Sequence, residues 1–173
     1  MPHRRHLLAV FVALLLFGGS RLTLAQETTS PRFGLGFTGV ASTEESDAGV
    51  VGFGVRGRLS YPLNADLSFG AGAGLTGFIL RGRDQASYLF DPQGSLIITL
   101  PGGSRNASYL LAGAGAYVPF ASDEGLNGPT IHAGYGRVFL LSESTFFWEF
   151  DPAVIVGFNR IGLAVPLRVG VIF

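Results

Sequence analysis

Gly162-Leu163-Ala164-Val165-Pro166-Leu167-Arg168-Val169-Gly170-Val171-Ile172-Phe173 is the stretch that decides the fold. Leu163, Val165, Leu167, Val169, Val171 and Phe173 share one parity. Ala164, Pro166, Arg168 and Gly170 share the other, with Ile172 the large apolar exception. Successive side chains of a strand point to opposite faces, so one face here can meet lipid while the other lines an enclosed interior.

The opposite end of the chain reads as an export signal. Arg4, Arg5 and His6 make a basic start, an apolar run extends from Leu7 to Phe17, and Thr23-Leu24-Ala25 supplies a small-residue exit. This is the tripartite pattern of a secretory signal peptide, with cleavage expected after Ala25. The run is shorter than the ~20 residues a spanning helix needs. The expected division is therefore a signal at 1–25 and one barrel domain at 26–173.

Composition excludes several function classes. The chain has no Cys, hence no disulfide framework, thiolate metal site or catalytic thiol. Its twelve basic residues are all Arg, three of them within the signal, against twelve Asp plus Glu, so the remainder is mildly acidic. Nucleic-acid binding is not expected, because it needs a basic surface. Hydrophobic residues reach 47% and mean hydropathy is +0.40, yet no long apolar run follows Ala25. A lipid-facing barrel has this profile, since every second residue of its strands is apolar.

Eight segments of strand length follow the signal, at 32–41, 50–61, 66–80, 88–100, 109–118, 130–140, 145–156 and 162–173. Most reach the ~9–11 residues with which a tilted strand crosses a bilayer. Their connections alternate. Pro62-Leu63-Asn64, Pro101-Gly102-Gly103-Ser104 and Leu141-Ser142-Glu143 are short and made of turn formers, whereas 42–47, 81–87, 120–128 and 157–160 are longer or more polar. The expected fold is all-β, an eight-stranded antiparallel up-and-down transmembrane β-barrel with both ends on the turn side.

Parity then collects the charges. Arg56, Arg58, Asp66, Asp91, Arg137, Glu149, Asp151 and Arg168 are assigned to the inward faces, with Arg137 inward turning His132 outward unless a bulge intervenes. Eight strands enclose an interior just wide enough for side chains to fill. Opposite charges in so narrow a lumen should pair, since an unpaired buried charge costs several kcal/mol. A structural salt-bridge plug is expected, with a narrow path for ions or small solutes as the alternative. Phe90-Asp91-Pro92 recurs as Phe150-Asp151-Pro152, and each Pro is read as a local bulge that aims its Asp inward.

Catalytic signals are weak. His132 is the only His beyond the signal, and His132-Ala133-Gly134 carries no local signature. One His cannot supply the usual metal-ligand pairs, and Gly70-Ala71-Gly72-Ala73-Gly74 is followed by no helical pattern. No cofactor and no metal is expected, and the chain is read as a non-enzyme.

The signal, the eight alternating segments, the Gly-rich runs at 67–78 and 109–117 and terminal Phe173 resemble the small outer-membrane β-barrel proteins of the OmpA transmembrane-domain, OmpX and OmpW type. The resemblance implies a Gram-negative outer membrane, contact with its lipid and lipopolysaccharide, and a monomer. It also implies delivery by periplasmic chaperones and insertion by the barrel-assembly machinery, with Phe173 as the assembly signal. A His-x-Ser pair, as in a lipid A deacylase on a similar barrel, is broken here by Gly134. The expected role is structural or surface-interacting; a porin-like channel and a secreted soluble barrel holding an apolar ligand are the alternatives.

Overall fold

The computed structural model describes residues 30–42, 50–78, 87–102, 106–120, 127–141, 144–157 and 161–173. The segment read as a signal, and with it the cleavage point after Ala25, lies outside them, as do the acidic clusters at 43–47 and 123–124. The described residues form nine strands: β1 Arg32–Ser42, β2 Val50–Pro62, β3 Leu67–Phe78, β4 Ser87–Leu100, β5 Asn106–Phe120, β6 Gly128–Leu140, β7 Thr145–Phe150, β8 Ala153–Val156 and β9 Ile161–Ile172. Each pairs antiparallel with its neighbour, and β1 pairs with β9, so the sheet closes. β7 and β8 are one stave interrupted at Asp151–Pro152, which makes the wall an eight-stranded antiparallel barrel.

Closure is completed at the chain end. The Phe173 N–H donates to the Phe33 carbonyl at 2.8 Å, and the Phe33 N–H returns a bond to the Phe173 carbonyl at 3.4 Å. Gly36 stands opposite Gly170 along this seam, and the Phe147 ring lies against both. A Cβ at Gly170 would sit 2.8 Å from that ring and 2.5 Å from the Gly36 Cα, so the missing side chains admit the aromatic.

The turns follow their chemistry. Between β2 and β3, Asn64 Oδ1 accepts the backbone N–H groups of Asp66 and Leu67 at 3.0 and 2.7 Å. Side-chain capture of this kind is why Asn is frequent in turns. Asp66 therefore belongs to an exposed turn and not to the lumen face of β3.

The Asp-Pro bulges expected from sequence are absent. Register is constant on both sides of Asp151–Pro152: Phe150 pairs with Tyr135 and Ala153 with His132, without an inserted residue. The ladder even persists across the break, with the Ala133 N–H donating to the Pro152 carbonyl at 3.2 Å. In β4 the register to β5 is likewise unchanged on either side of Asp91–Pro92. Pro simply removes one donor, and the aspartates face inward by parity alone.

The outer wall is apolar. Phe37, Phe53 and Ile131 are 71%, 67% and 65% exposed, and Leu35, Leu59, Leu75, Leu96, Leu110, Leu163 and Leu167 are exposed with them. Inside, two apolar layers cap the lumen. Val40, Phe78, Leu89, Tyr117, Ile155 and Ala164 cluster near the loop end. Ile97, Tyr109 and Leu111, with Val138 against them, cluster near the turn end.

Gly170→Val should overpack the seam and lower the unfolding free energy in detergent by about 1–3 kcal/mol. A urea titration scored by the gel mobility of folded against unfolded protein measures this, and an unchanged midpoint would show that Phe147 yields freely.

Candidate functional site

Between the two apolar layers lies a charged layer built from six staves. β2 supplies Arg56 and Arg58, β4 supplies Asp91, Gln93 and Ser95, and β5 supplies Tyr109. His132 comes from β6, Glu149 from β7 with Asp151 just beyond it, and Arg168 from β9. Arg56, Asp91, His132, Glu149, Asp151 and Arg168 are all buried.

Glu149 is the hub. Its Oε2 accepts from Arg58 and, at 2.9 Å, from the Tyr109 hydroxyl. Its Oε1 accepts from Arg168 at 2.7 Å. Arg168 also donates to Asp151 Oδ2 at 2.5 Å. Arg56 donates to Asp91 Oδ2 at 2.5 Å, to the Asp91 carbonyl at 3.3 Å and to Gln93 Oε1 at 2.7 Å. Gln93 Oε1 also accepts from Arg168 at 3.3 Å, which joins the two halves. The Arg58 guanidinium lies 5.7 Å from the Tyr109 ring centroid and 5.4 Å from that of Phe147, contacts favourable for a desolvated cation.

Three arginines meet three carboxylates, so the described lumen charges cancel with a neutral imidazole. Cancellation matters because breaking a buried ion pair leaves an uncompensated charge in a low dielectric. Gly74 permits one of these pairs, since a Cβ there would collide with the Asp91 carboxylate.

His132 extends the network. Asp151 Oδ1 accepts from His132 Nδ1 at 2.7 Å, and Ser95 Oγ lies 3.3 Å from Nε2. In a neutral ring Nε2 is then the acceptor and the hydroxyl the donor. This Ser-His-Asp order is that of a nucleophilic triad, but the chain sits within a filled lumen. A recess reaching Arg56, Arg58 and Glu149 has room for no more than about one water.

Six of the eight residues assigned to the lumen from sequence therefore come together: Arg56, Arg58, Asp91, Glu149, Asp151 and Arg168. Asp66 stays in the β2–β3 turn. Arg137 faces outward, its guanidinium 5.3 Å from the Phe139 ring centroid, and His132 faces inward, 2% exposed. The β5–β6 register is unbroken from Gly128 to Phe139, so residues 132 and 137 must take opposite faces. His132 goes in because Asp151 waits across the β6–β8 stave boundary. Arg137 is tolerated outside because it lies near the strand end, where a long stem can carry its charge toward the interface. Gln93, Ser95 and Tyr109 were not singled out for the network in the sequence; the inward parity of Gln93 and Ser95 was the available signal. Among the described residues no group of His and acidic side chains is arranged to hold a metal ion.

No family model matches this sequence, and a search of curated proteins finds no match. Solved structures do match. Neisserial surface protein A superposes with a TM-score of 0.69 at 15% identity, over 82% of this chain and 95% of that one. The chain has the fold of the small eight-stranded outer-membrane barrels. OprG of Pseudomonas aeruginosa matches at TM-score 0.53 and 12% identity, over 82% and 93% of the two chains. Ail, the attachment invasion locus protein of Yersinia pestis, matches at 0.52 and 15%, over 83% and 97%.

Glu149→Ala should cost about 3–5 kcal/mol of stability in detergent, because it strands Arg58 and leaves Arg168 with Asp151 alone. Asp66→Ala should stay within about 0.5 kcal/mol, as exposed substitutions do. Parallel urea titrations of the two variants check the contrast; equal losses would remove Glu149 from the centre of the plug.

Proposed function

We propose that the chain is an integral outer-membrane barrel, monomeric and non-enzymatic, with a charge-plugged lumen and a structural or surface-interaction role. The observation that carries this reading is the division of the wall: large apolar side chains outside, matched charges inside, and apolar layers above and below them. A soluble barrel holding an apolar ligand would need a polar exterior and an open interior, and the exposed Phe37, Phe53 and Ile131 argue for lipid instead. The outer-membrane barrels that share the fold support the same location. On this reading the 1–25 segment directs export and is removed, and periplasmic chaperones carry the chain to the barrel-assembly machinery. Phe173, exposed at the seam, is the recognised end. Outer-membrane lipid and lipopolysaccharide surround the wall.

A passive channel is the second reading, favoured by the polar character of the lumen. A conducting filter needs sites that ions enter and leave easily, whereas every carboxylate here is held by arginine. In planar bilayers the folded protein should give no discrete conductance steps. Steps that change when Arg56 or Glu149 is neutralised would overturn the plug and establish the channel.

A non-enzymatic role also fixes what Ser95 does. Its hydroxyl, on a buried residue and 3.3 Å from His132 Nε2, should resist a fluorophosphonate probe in the folded protein. Stoichiometric labelling of Ser95, found by peptide mass spectrometry and lost in His132→Ala, would make the barrel a hydrolase.

A further inference from the structure

Arg56, Arg58 and Arg168 point inward and each meets a carboxylate. Arg137 alone among the arginines described within the staves projects from the apolar outer wall. Its register neighbours are Ser108 on β5 and Trp148 on β7, and Tyr135 and Phe139 flank it on β6. None of these is acidic. The guanidinium stacks over Phe139, and its Nε is buried with no hydrogen-bond partner. Beside it, Ser108 and Tyr135 join hydroxyls at 2.8 Å, and the Tyr135 ring meets the Trp148 ring edge-on at 5.6 Å.

A lone cation on a lipid-facing wall is costly unless its head reaches the interface or finds an anion. Arg137 stands three residues before the end of β6 at Leu140, about 10 Å along the strand at ~3.3 Å per residue. The stem can follow the wall toward the headgroup level from there. Tyr and Trp favour the same level, with an apolar ring in the tails and a polar edge in the wet zone. The guanidinium fork matches two oxygens of one phosphate.

We propose that Arg137, with the Tyr135–Ser108 hydroxyl pair and Trp148 beside it, binds the phosphodiester of a membrane phospholipid in the leaflet on the turn side of the barrel. The inference rests on the reading that the outer wall lies in lipid. Charge complementarity chooses the occupant: among the described residues beside Arg137 the wall supplies a cation and no carboxylate, and the anion dispersed along a bilayer surface is the phosphodiester.

Trp148 is the protein's single tryptophan and reports on this patch directly. The full chain is refolded into vesicles of phosphate-free galactosyl diacylglycerol containing a minor fraction of acyl-brominated lipid, either phosphatidylglycerol or the galactolipid itself. Brominated phosphatidylglycerol should quench Trp148 as though enriched about fivefold at its side, the size expected for one basic group at a lipid surface. Arg137→Gln should bring the two lipids to equality, and Arg137→Lys should keep part of the preference, because it retains charge without the fork. Heat-modifiable gel migration confirms that each variant is folded. Equal quenching in the wild type, or a preference that survives Arg137→Gln, overturns the site. Quenching by neither lipid in folded protein takes the wall out of the bilayer and overturns the underlying reading together with the site.

Discussion

Eight staves enclose a space too narrow for water to solvate ions and too wide to leave empty, and that constraint governs the rest of the molecule. Glu149 meets it by binding Arg58, Arg168 and Tyr109 at once. A carboxylate with three donors from three other staves ties β2, β5 and β9 to β7 across the lumen. The wall's backbone bonds join only neighbours, so cross-lumen ties of this kind are what resist flattening. Arg56 and Gln93 perform the same service between β2 and β4.

The ends of the lumen make the middle stronger. Val40, Phe78, Leu89, Tyr117, Ile155 and Ala164 on one side, and Ile97, Tyr109 and Leu111 on the other, exclude water from the charges. A lower local dielectric strengthens each matched pair and raises the penalty for each unmatched one. The glycines belong to the same logic. Gly74 admits the Asp91 carboxylate, and Gly36 with Gly170 admits the Phe147 ring, so small residues in one stave make room for long side chains from another.

Strand number, parity and the turn side were legible in the chain because alternation is a local signal, repeated in every stave. Inward placement of Arg56, Arg58, Asp91, Glu149, Asp151 and Arg168 followed from that parity. The rule that charge goes inside then failed at β6. His132 and Arg137 differ in parity, so one polar residue had to face out, and intrinsic charge pointed to the wrong one. What decides the matter is non-local: Asp151 Oδ1 lies across the sheet boundary to receive His132, and no lumen carboxylate is left for a fourth arginine. Asp66 failed for a different reason. Asn64 captures two backbone N–H groups and lengthens the turn by one residue, a competition that alternation alone does not reveal. The Pro residues misled through a general association of Pro with bulges, which the unbroken registers do not obey.

On the proposed reading, a lumen filled in this way leaves the surfaces to carry the protein's role. Each matched pair that stabilises the barrel also removes a site at which a passing ion could dwell, and each apolar cap removes a path by which substrate could reach Ser95. The Ser95–His132–Asp151 chain shows the point most sharply. Its order is that of a nucleophilic triad, yet Asp151 is shared with Arg168 and Ser95 is buried, so on the proposed reading the same atoms serve as mortar. Orientation of a hydroxyl, an imidazole and a carboxylate is therefore insufficient evidence for catalysis; exposure of the nucleophile decides it. By the same criterion the outward Arg137, held near the strand end among aromatic rings and with no acidic register neighbour, is placed to meet an external ligand.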